Sequence, residues 1–204
     1  MDLNEQHAEV GRKVEKITLE SGEEGRAITL TQTFRPVTVP ELWDACTNPD
    51  KIKQFFSPVT GELKVNGHFQ VQNNASGTIE TCNLFSDYRV TWELGASKSW
   101  VEVRISEVGE ARCRLALSYI TPINKRWEEY GAGAGGVGWE MSFAGLAYFL
   151  KGIKVGEEWF AQDETKVYLT KCSEAWGEAA IKGGEDSEAA EAAVRRTTAS
   201  YVPS

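Results

Sequence analysis

Apolar and polar positions change period several times along this chain, and each change marks an element. From Val14 to Leu19 and again from Ala27 to Phe34, apolar and β-branched residues alternate with polar ones on either side of Ser21-Gly22-Glu23-Glu24-Gly25, which predicts a hairpin. From Thr38 to Phe56 the period lengthens. Pro40 suits the first turn of a helix, and Leu42, Trp43 and Cys46 supply its buried face. Asn48 then caps a second short helix with Pro49 at its first position and Ile52, Phe55 and Phe56 turned inward. After Ser57 the pattern returns to twos. Glu62 to Val65 and Gly67 to Asn73 flank a turn at Asn66-Gly67, and a second turn over Asn73 to Gly77 leads into Thr78 to Cys82. Arg89 to Leu94 sets Val90, Trp92 and Leu94 on one face; Trp100 to Ser106 does the same with Val101, Val103 and Ile105. Cys113, Leu115, Leu117 and Tyr119 continue the alternation up to Thr121-Pro122. Strands recurring every ~8 to 12 residues predict an antiparallel meander.

The stretch from Tyr130 to Leu150 organises the rest. A loop with five glycines runs into a helix whose Trp139, Phe143, Leu146 and Leu150 form one apolar stripe. Such a stripe must lie against something, and a helix laid across a curved sheet leaves a cleft. Gly152 and Gly156 interrupt the helical pattern. It resumes from Thr165 to Lys182 with Leu169, Cys172, Trp176 and Ala179 on one side, and Gly183-Gly184 closes it. Asp186 to Val202 forms a last, alanine-rich helix with acids in its first turn. The expected organisation is a flexible polar N-terminus over residues 1–13, a main domain over 14–150 and a C-terminal helical extension over 151–204.

Composition narrows the classes of partner. The 204 residues carry a formal net charge of -8, from 30 acidic against 22 basic residues, and no basic run that would track phosphates. Nucleic acid and anionic membrane are therefore not expected partners. No apolar run approaches ~18 residues and the first residues lack the order of a signal peptide, so a cytoplasmic protein is expected. Cys46, Cys82, Cys113 and Cys172 are widely spaced, which points to reduced thiols acting as small apolar side chains, with neither disulfide nor metal site.

The order strand, two short helices, antiparallel strands, glycine loop and long helix resembles the helix-grip domains of the START/birch-pollen-allergen/polyketide-cyclase superfamily. Val39-Pro40-Glu41-Leu42-Trp43-Asp44-Ala45-Cys46-Thr47-Asn48-Pro49 is similar to the first-helix signature of the branch related to the activator of heat-shock-protein-90 ATPase. Lys64-Val65-Asn66-Gly67-His68-Phe69 is similar to its Gly-Gly-x-Phe turn, Arg89-Val90-Thr91-Trp92 to its x-V-x-W strand, and Gly138-Trp139 to the start of its long helix. Asn66 replaces the first glycine of that turn and also tolerates positive φ. The resemblance implies an α+β helix-grip fold: a curved sheet of six to seven antiparallel strands around a long helix, two short helices after the first strand, and a cavity between helix and sheet. It implies no substrate. The co-chaperone proper has a large additional N-terminal domain that this sequence lacks, so a chaperone partner is not expected.

Several residue sets bear on chemistry. Gly131-x-Gly133-x-x-Gly136, with Glu157 about 20 residues on, matches the letters of a dinucleotide fingerprint, but no buried strand precedes it and no βαβ unit follows. No cofactor is expected, and the glycines read as a flexible entrance loop. His7 falls in the polar end, and His68 alternates with Phe69 and so faces solvent. Glu80, Glu93, Glu102 and Glu140 are the carboxylates that a proton-transfer reaction would draw on, with Glu102 and Arg104 placed to pair on one strand face. The aromatic set is the most suggestive: Trp43, Phe55, Phe69, Trp92, Tyr119, Trp139 and Phe143, with Leu146, are expected to line the cleft. The leading expectation is a protein that holds a hydrophobic or aromatic small molecule of lipid or polyketide type. A polyketide cyclase-like enzyme using a cavity carboxylate comes second, and a co-chaperone or adaptor acting through the C-terminal helices third. A homodimer stays open.

Overall fold

A computed structural model describes residues 2–156, 159 and 162–202; Glu157 of the fingerprint reading lies outside the described residues. The architecture is the expected α+β helix-grip class. Its eight-stranded antiparallel sheet has the order β1-β2-β8-β7-β6-β5-β4-β3, so it stays unclosed with β1 and β3 at its edges. By its own packing the chain comprises two compact units.

The first unit gathers Met1–Leu30, Pro122–Ala144 and Val155–Ser204. Residues 1–13, expected to be flexible, hold helix α1 (Leu3–Glu9) and the start of β1 (Gly11–Thr18). The Asp2 carboxylate caps α1 by accepting from the Asn4 N–H, and Leu3 and Gln6 are buried. Strand β2 (Glu24–Phe34) begins in this unit, followed by α4 (Lys125–Tyr130), the first turns of α5 (Gly133–Leu150), α6 (Asp163–Lys182) and α7 (Ser187–Tyr201). Helix α6 buries Leu169, Cys172, Trp176 and Ala179, the face read from its spacing. Asp186 caps α7 by accepting from the Ala189 N–H.

The glycine run differs from expectation. Four of its five glycines lie inside α5 rather than in a loop. A Cβ on Gly136 would stand 2.5 Å from the ring of Trp176, and one on Gly133 2.7 Å from Thr197. The glycines thus form the seam where α5 meets α6 and α7. Each would cost about 1 kcal/mol against alanine in a helix, and here close packing offsets that cost.

The second unit comprises Thr31–Thr121 and Gly145–Lys154. Its helices α2 (Val39–Thr47) and α3 (Pro49–Ile52) start as the sequence predicts. The Thr38 N–H donates to the Glu41 carboxylate at 2.8 Å, and the Asn48 side chain accepts from Asp50 N–H at 3.0 Å. The strands are β3 (Val59–Gly61), β4 (His68–Val71), β5 (Ser76–Asn83), β6 (Asp87–Leu94), β7 (Ser97–Gly109) and β8 (Arg112–Pro122). Residues 62–65, expected as strand, are a tight turn instead: the Lys64 N–H donates to Glu62 O at 2.9 Å, and Gly61 takes φ 118°. Asn66 has φ 65°, as its place in the turn requires.

Registers β6–β7 and β7–β8 put Val90 opposite Val101, Val103 opposite Leu117, and Ile105 opposite Leu115, all buried on one face. Each such side chain contributes about 1.5–3 kcal/mol by leaving water, which fixes the register against a one-residue slip. Among the described residues no helix is long and apolar enough to cross a membrane.

Candidate functional site

Six of the eight residues expected to line a cleft stand in the second unit: Trp43, Phe55, Phe69, Trp92, Tyr119 and Leu146. Phe69, Trp92 and Tyr119 come from the apolar face of the sheet. Phe69 is opposite Gly77 on β5, and because Gly77 carries no side chain, the rings of Phe69 and Trp92 approach to 6.3 Å across it. A Cβ at Gly77 would lie 2.0 Å from the carbonyl oxygen of Thr91, so only glycine fits. Trp92 pairs with Ser99 on β7, whose hydroxyl meets the Tyr119 hydroxyl at 2.9 Å. Phe69 is buried at this face, whereas Trp92 and Tyr119 remain half-buried.

The others have more packed surroundings. Trp43 is buried and takes Phe85 and Tyr88 edge-on, with centroids 6.2 and 6.1 Å away. Phe55 packs on Phe149 at 5.5 Å, made possible by Gly145, where a Cβ would meet the Phe55 carbonyl oxygen at 2.6 Å. Leu146 is buried. Trp139 and Phe143 belong to the first unit, half-buried and buried respectively.

The carboxylates of the sheet are engaged by arginine. Arg89 Nε lies 3.0 Å from Glu80 and 3.6 Å from Glu102. The partner of Glu102 is therefore Arg89, directly opposite on the neighbouring strand, rather than Arg104 two positions along its own. Direct cross-strand neighbours have Cβ atoms about 5 Å apart, closer than successive residues on the same face of one strand. Glu93 accepts from the Thr91 hydroxyl at 3.2 Å. His68 is exposed.

The first unit contains a buried polar cluster that the sequence reading missed. Glu140, fully buried on α5, accepts from Arg12 Nε at 2.9 Å and from Trp176 Nε1 at 3.0 Å, and its other oxygen takes Arg12 Nη2. Nη2 also stands 2.8 Å from His7 Nδ1 and donates to the His7 carbonyl at 3.0 Å. Cys172 Sγ is 3.8 Å from the same nitrogen, and the Tyr168 ring stands edge-on to His7 at 6.2 Å. Burial works to raise the Glu140 carboxyl, but its hydrogen bonds with His7 and Arg12, together with the Arg12 charge, outweigh burial and hold the group below its ordinary range. Burial, followed by the Glu140 charge, pushes the Cys172 thiol far up, so it is not a nucleophile at neutral pH.

One atom each of His7, Glu140 and Cys172 fall within 4.8 Å of one another, a spacing that would suit a metal ion. The donor set does not fit one, because the Arg12 guanidinium already contacts both His7 Nδ1 and Glu140 Oε1 and supplies the cation there. The cluster ties α1, β1, α5 and α6 together. A signal for it did exist: Glu140 is the one charged residue in the eighteen of α5, and a lone carboxylate in an apolar helix needs a buried partner.

A family model described as Activator of Hsp90 ATPase homolog 1-like protein matches residues 36–151. Among solved structures, CalU16 from Micromonospora echinospora is similar in crystal and in solution. The crystal form is 29% identical with a TM-score of 0.69, covering 84% of this chain and 98% of CalU16. The solution form is 30% identical with a TM-score of 0.72, covering 86% and 97%. An HSP90 activator from Plasmodium falciparum shares the fold at a TM-score of 0.54 and 20% identity, covering 62% of this chain and 96% of its own. A comparison with curated proteins found no match.

Proposed function

We propose, from the premise that this chain belongs to the family of Activator of Hsp90 ATPase homolog 1-like proteins, that it binds a hydrophobic or aromatic small molecule of lipid or polyketide type. The guest lies against the apolar sheet face of the second unit, with Phe69, Trp92 and Tyr119 as its principal contacts and Phe55 and Leu146 as further lining. The observation that carries this reading is the Phe69–Trp92 pair at 6.3 Å across a side-chain-free Gly77, with Trp92 and Tyr119 left half-buried on the face where Val90, Val101 and Val103 are buried. An aromatic shelf of that kind offers a flat guest a stacking surface, and the linked Tyr119 and Ser99 hydroxyls offer it a polar anchor. Binding without chemistry is preferred to a cyclase reaction because Glu80 and Glu102, two of the sheet carboxylates, face arginine.

Titration of the full chain with fused-ring aromatic and long-chain acyl compounds, followed by tryptophan emission and calorimetry, tests the proposal. Binding is expected for at least one class, with the emission change much reduced in Trp92→Phe. If neither class binds at millimolar concentration, or if Trp92→Phe leaves the emission change intact, the site is elsewhere or does not exist.

A further inference from the structure

A pocket of about 380 Å³ opens within the first unit, between the start of β2, α4, α6 and α7. Its volume falls in the range of small-molecule sites. Ala132, Ala180, Ala190 and Ala193 give it a low apolar lining, because α7 presents alanines where larger side chains would fill the space. On one wall Trp127 is buried, with the guanidinium of Arg26 5.7 Å above its ring. Glu24, Glu128 and Glu185 also line the pocket, the side chains of Glu24 and Glu185 being 65% and 20% exposed.

Arg26 is itself only 5% exposed, and most of its donors are used. Nε donates to Glu185, and Nη1 donates to Glu24 at 2.7 Å and to the Gly25 carbonyl at 3.0 Å. Among the described residues, Nη2 makes no hydrogen bond and is not among the fully buried unsatisfied atoms, so it keeps access to the pocket and is free to donate to a guest. The charge balance points the other way: three carboxylates against one guanidinium leave the lining two charges negative. A guest carboxylate would satisfy Nη2 but enter a negative field. A neutral oxygen can take the Nη2 hydrogen bond while a cationic head sits among the carboxylates.

We propose that this pocket is a second ligand site, separate from the aromatic sheet face, that takes a small organic ammonium whose apolar or aromatic body carries an ether, hydroxyl or carbonyl oxygen. The body rests on the alanines, the oxygen accepts from Arg26 Nη2, and the ammonium meets the glutamates. The placing of Arg26 over Trp127 and between two glutamates shows that these groups already suit a cation.

Calorimetric titration of the full chain with 2-phenoxyethylamine, 2-phenoxyethanol and phenoxyacetate separates the contributions, since the three share a ring and an ether oxygen and differ in head group. The ammonium is expected to bind tightest and the carboxylate weakest. 3-Phenylpropylamine, with a methylene in place of the oxygen, should bind less well than 2-phenoxyethylamine. Glu128→Gln changes an exposed side chain and leaves both partners of Arg26 in place; it should weaken the ammonium by about two- to fivefold. Ala193→Leu should abolish binding by filling the pocket. Should that variant not fold, methyl NMR shifts of Ala190 and Ala193 in the unaltered protein locate the guest. Phenoxyacetate binding tightest, three equal affinities, no binding at millimolar concentration, or shifts confined to the Trp92 region would each overturn the proposal. The last of these outcomes would leave the sheet-face reading standing.

Discussion

Replacing Gly136 by alanine tests whether the glycine run is a packing seam or a flexible loop. Intrinsic propensity alone favours the change, because alanine in a helix interior is worth about 1 kcal/mol over glycine. The structure predicts the opposite sign. The new Cβ would lie 2.5 Å from Cδ2 and Cε2 of Trp176 and 2.8 Å from its Nε1, whereas carbon atoms in contact prefer about 3.5–4.0 Å. Either α5 and α6 separate or the indole moves by about an ångström. Over-packing of this kind costs about 1–3 kcal/mol. Moving the indole also stretches its 3.0 Å hydrogen bond to the buried Glu140 carboxylate, and a hydrogen bond to a charged group contributes about 1.5–3 kcal/mol. After the propensity gain is subtracted, the net loss is about 1.5–5 kcal/mol, or a melting temperature lower by about 3–20 °C for a chain of this size. Gly138→Ala is the matched control. Its Cβ meets only the Tyr201 hydroxyl, at 3.3 Å and at the free end of a movable side chain, so stability should hold or rise. Thermal and urea unfolding of both variants decide the matter. A Gly136→Ala protein as stable as Gly138→Ala would refute the seam.

Two further outcomes follow from the buried carboxylate and from the sheet. Glu140→Gln should cost about 3–5 kcal/mol in urea unfolding, since it leaves the Arg12 guanidinium without its counter-charge; a double-mutant cycle with Arg12→Gln should return a coupling of about 1–3 kcal/mol, and additive losses would dissolve the pair. Because the native carboxyl is held low, the stability it confers is complete above the unfolded value of about 4.3 and drains away as pH falls through the lowered native value, so acid should weaken the wild type more than Glu140→Gln. Gly77→Ala should lower the unfolding free energy in urea by about 3 kcal/mol and alter the near-ultraviolet signal of Trp92, because the added methyl collides with the Thr91 backbone and the Thr78 N–H loses its 2.8 Å bond to the Thr91 hydroxyl. An unchanged midpoint would show that β5 can shift without penalty.

The buried face of α6, the Asn48 cap of α3 and the apolar face of β7 and β8 were legible in the sequence. For these elements a single periodicity decides which side leaves water, and Leu169, Cys172 and Trp176 or Val101, Val103 and Ile105 declare it without help from distant residues. The family resemblance was equally visible, since Trp43, Asn66 and Trp92 answer local turn and packing needs.

The sequence could also establish that Glu140 was anomalous, a single acid in an apolar helix, and that glycines crowded its first turns. It could not say why. Arg12 and His7 reach Glu140 from more than a hundred residues away in sequence, and Trp176 closes on Gly136 from a different helix. Glu102 likewise takes Arg89 because strand register, and not proximity along the chain, sets which charges stand opposite. Periodicity records which face of an element avoids water; the identity of the group that meets that face depends on where other elements come to rest. That choice is made by close packing and charge pairing over long sequence separations, and it exists only once the chain has folded.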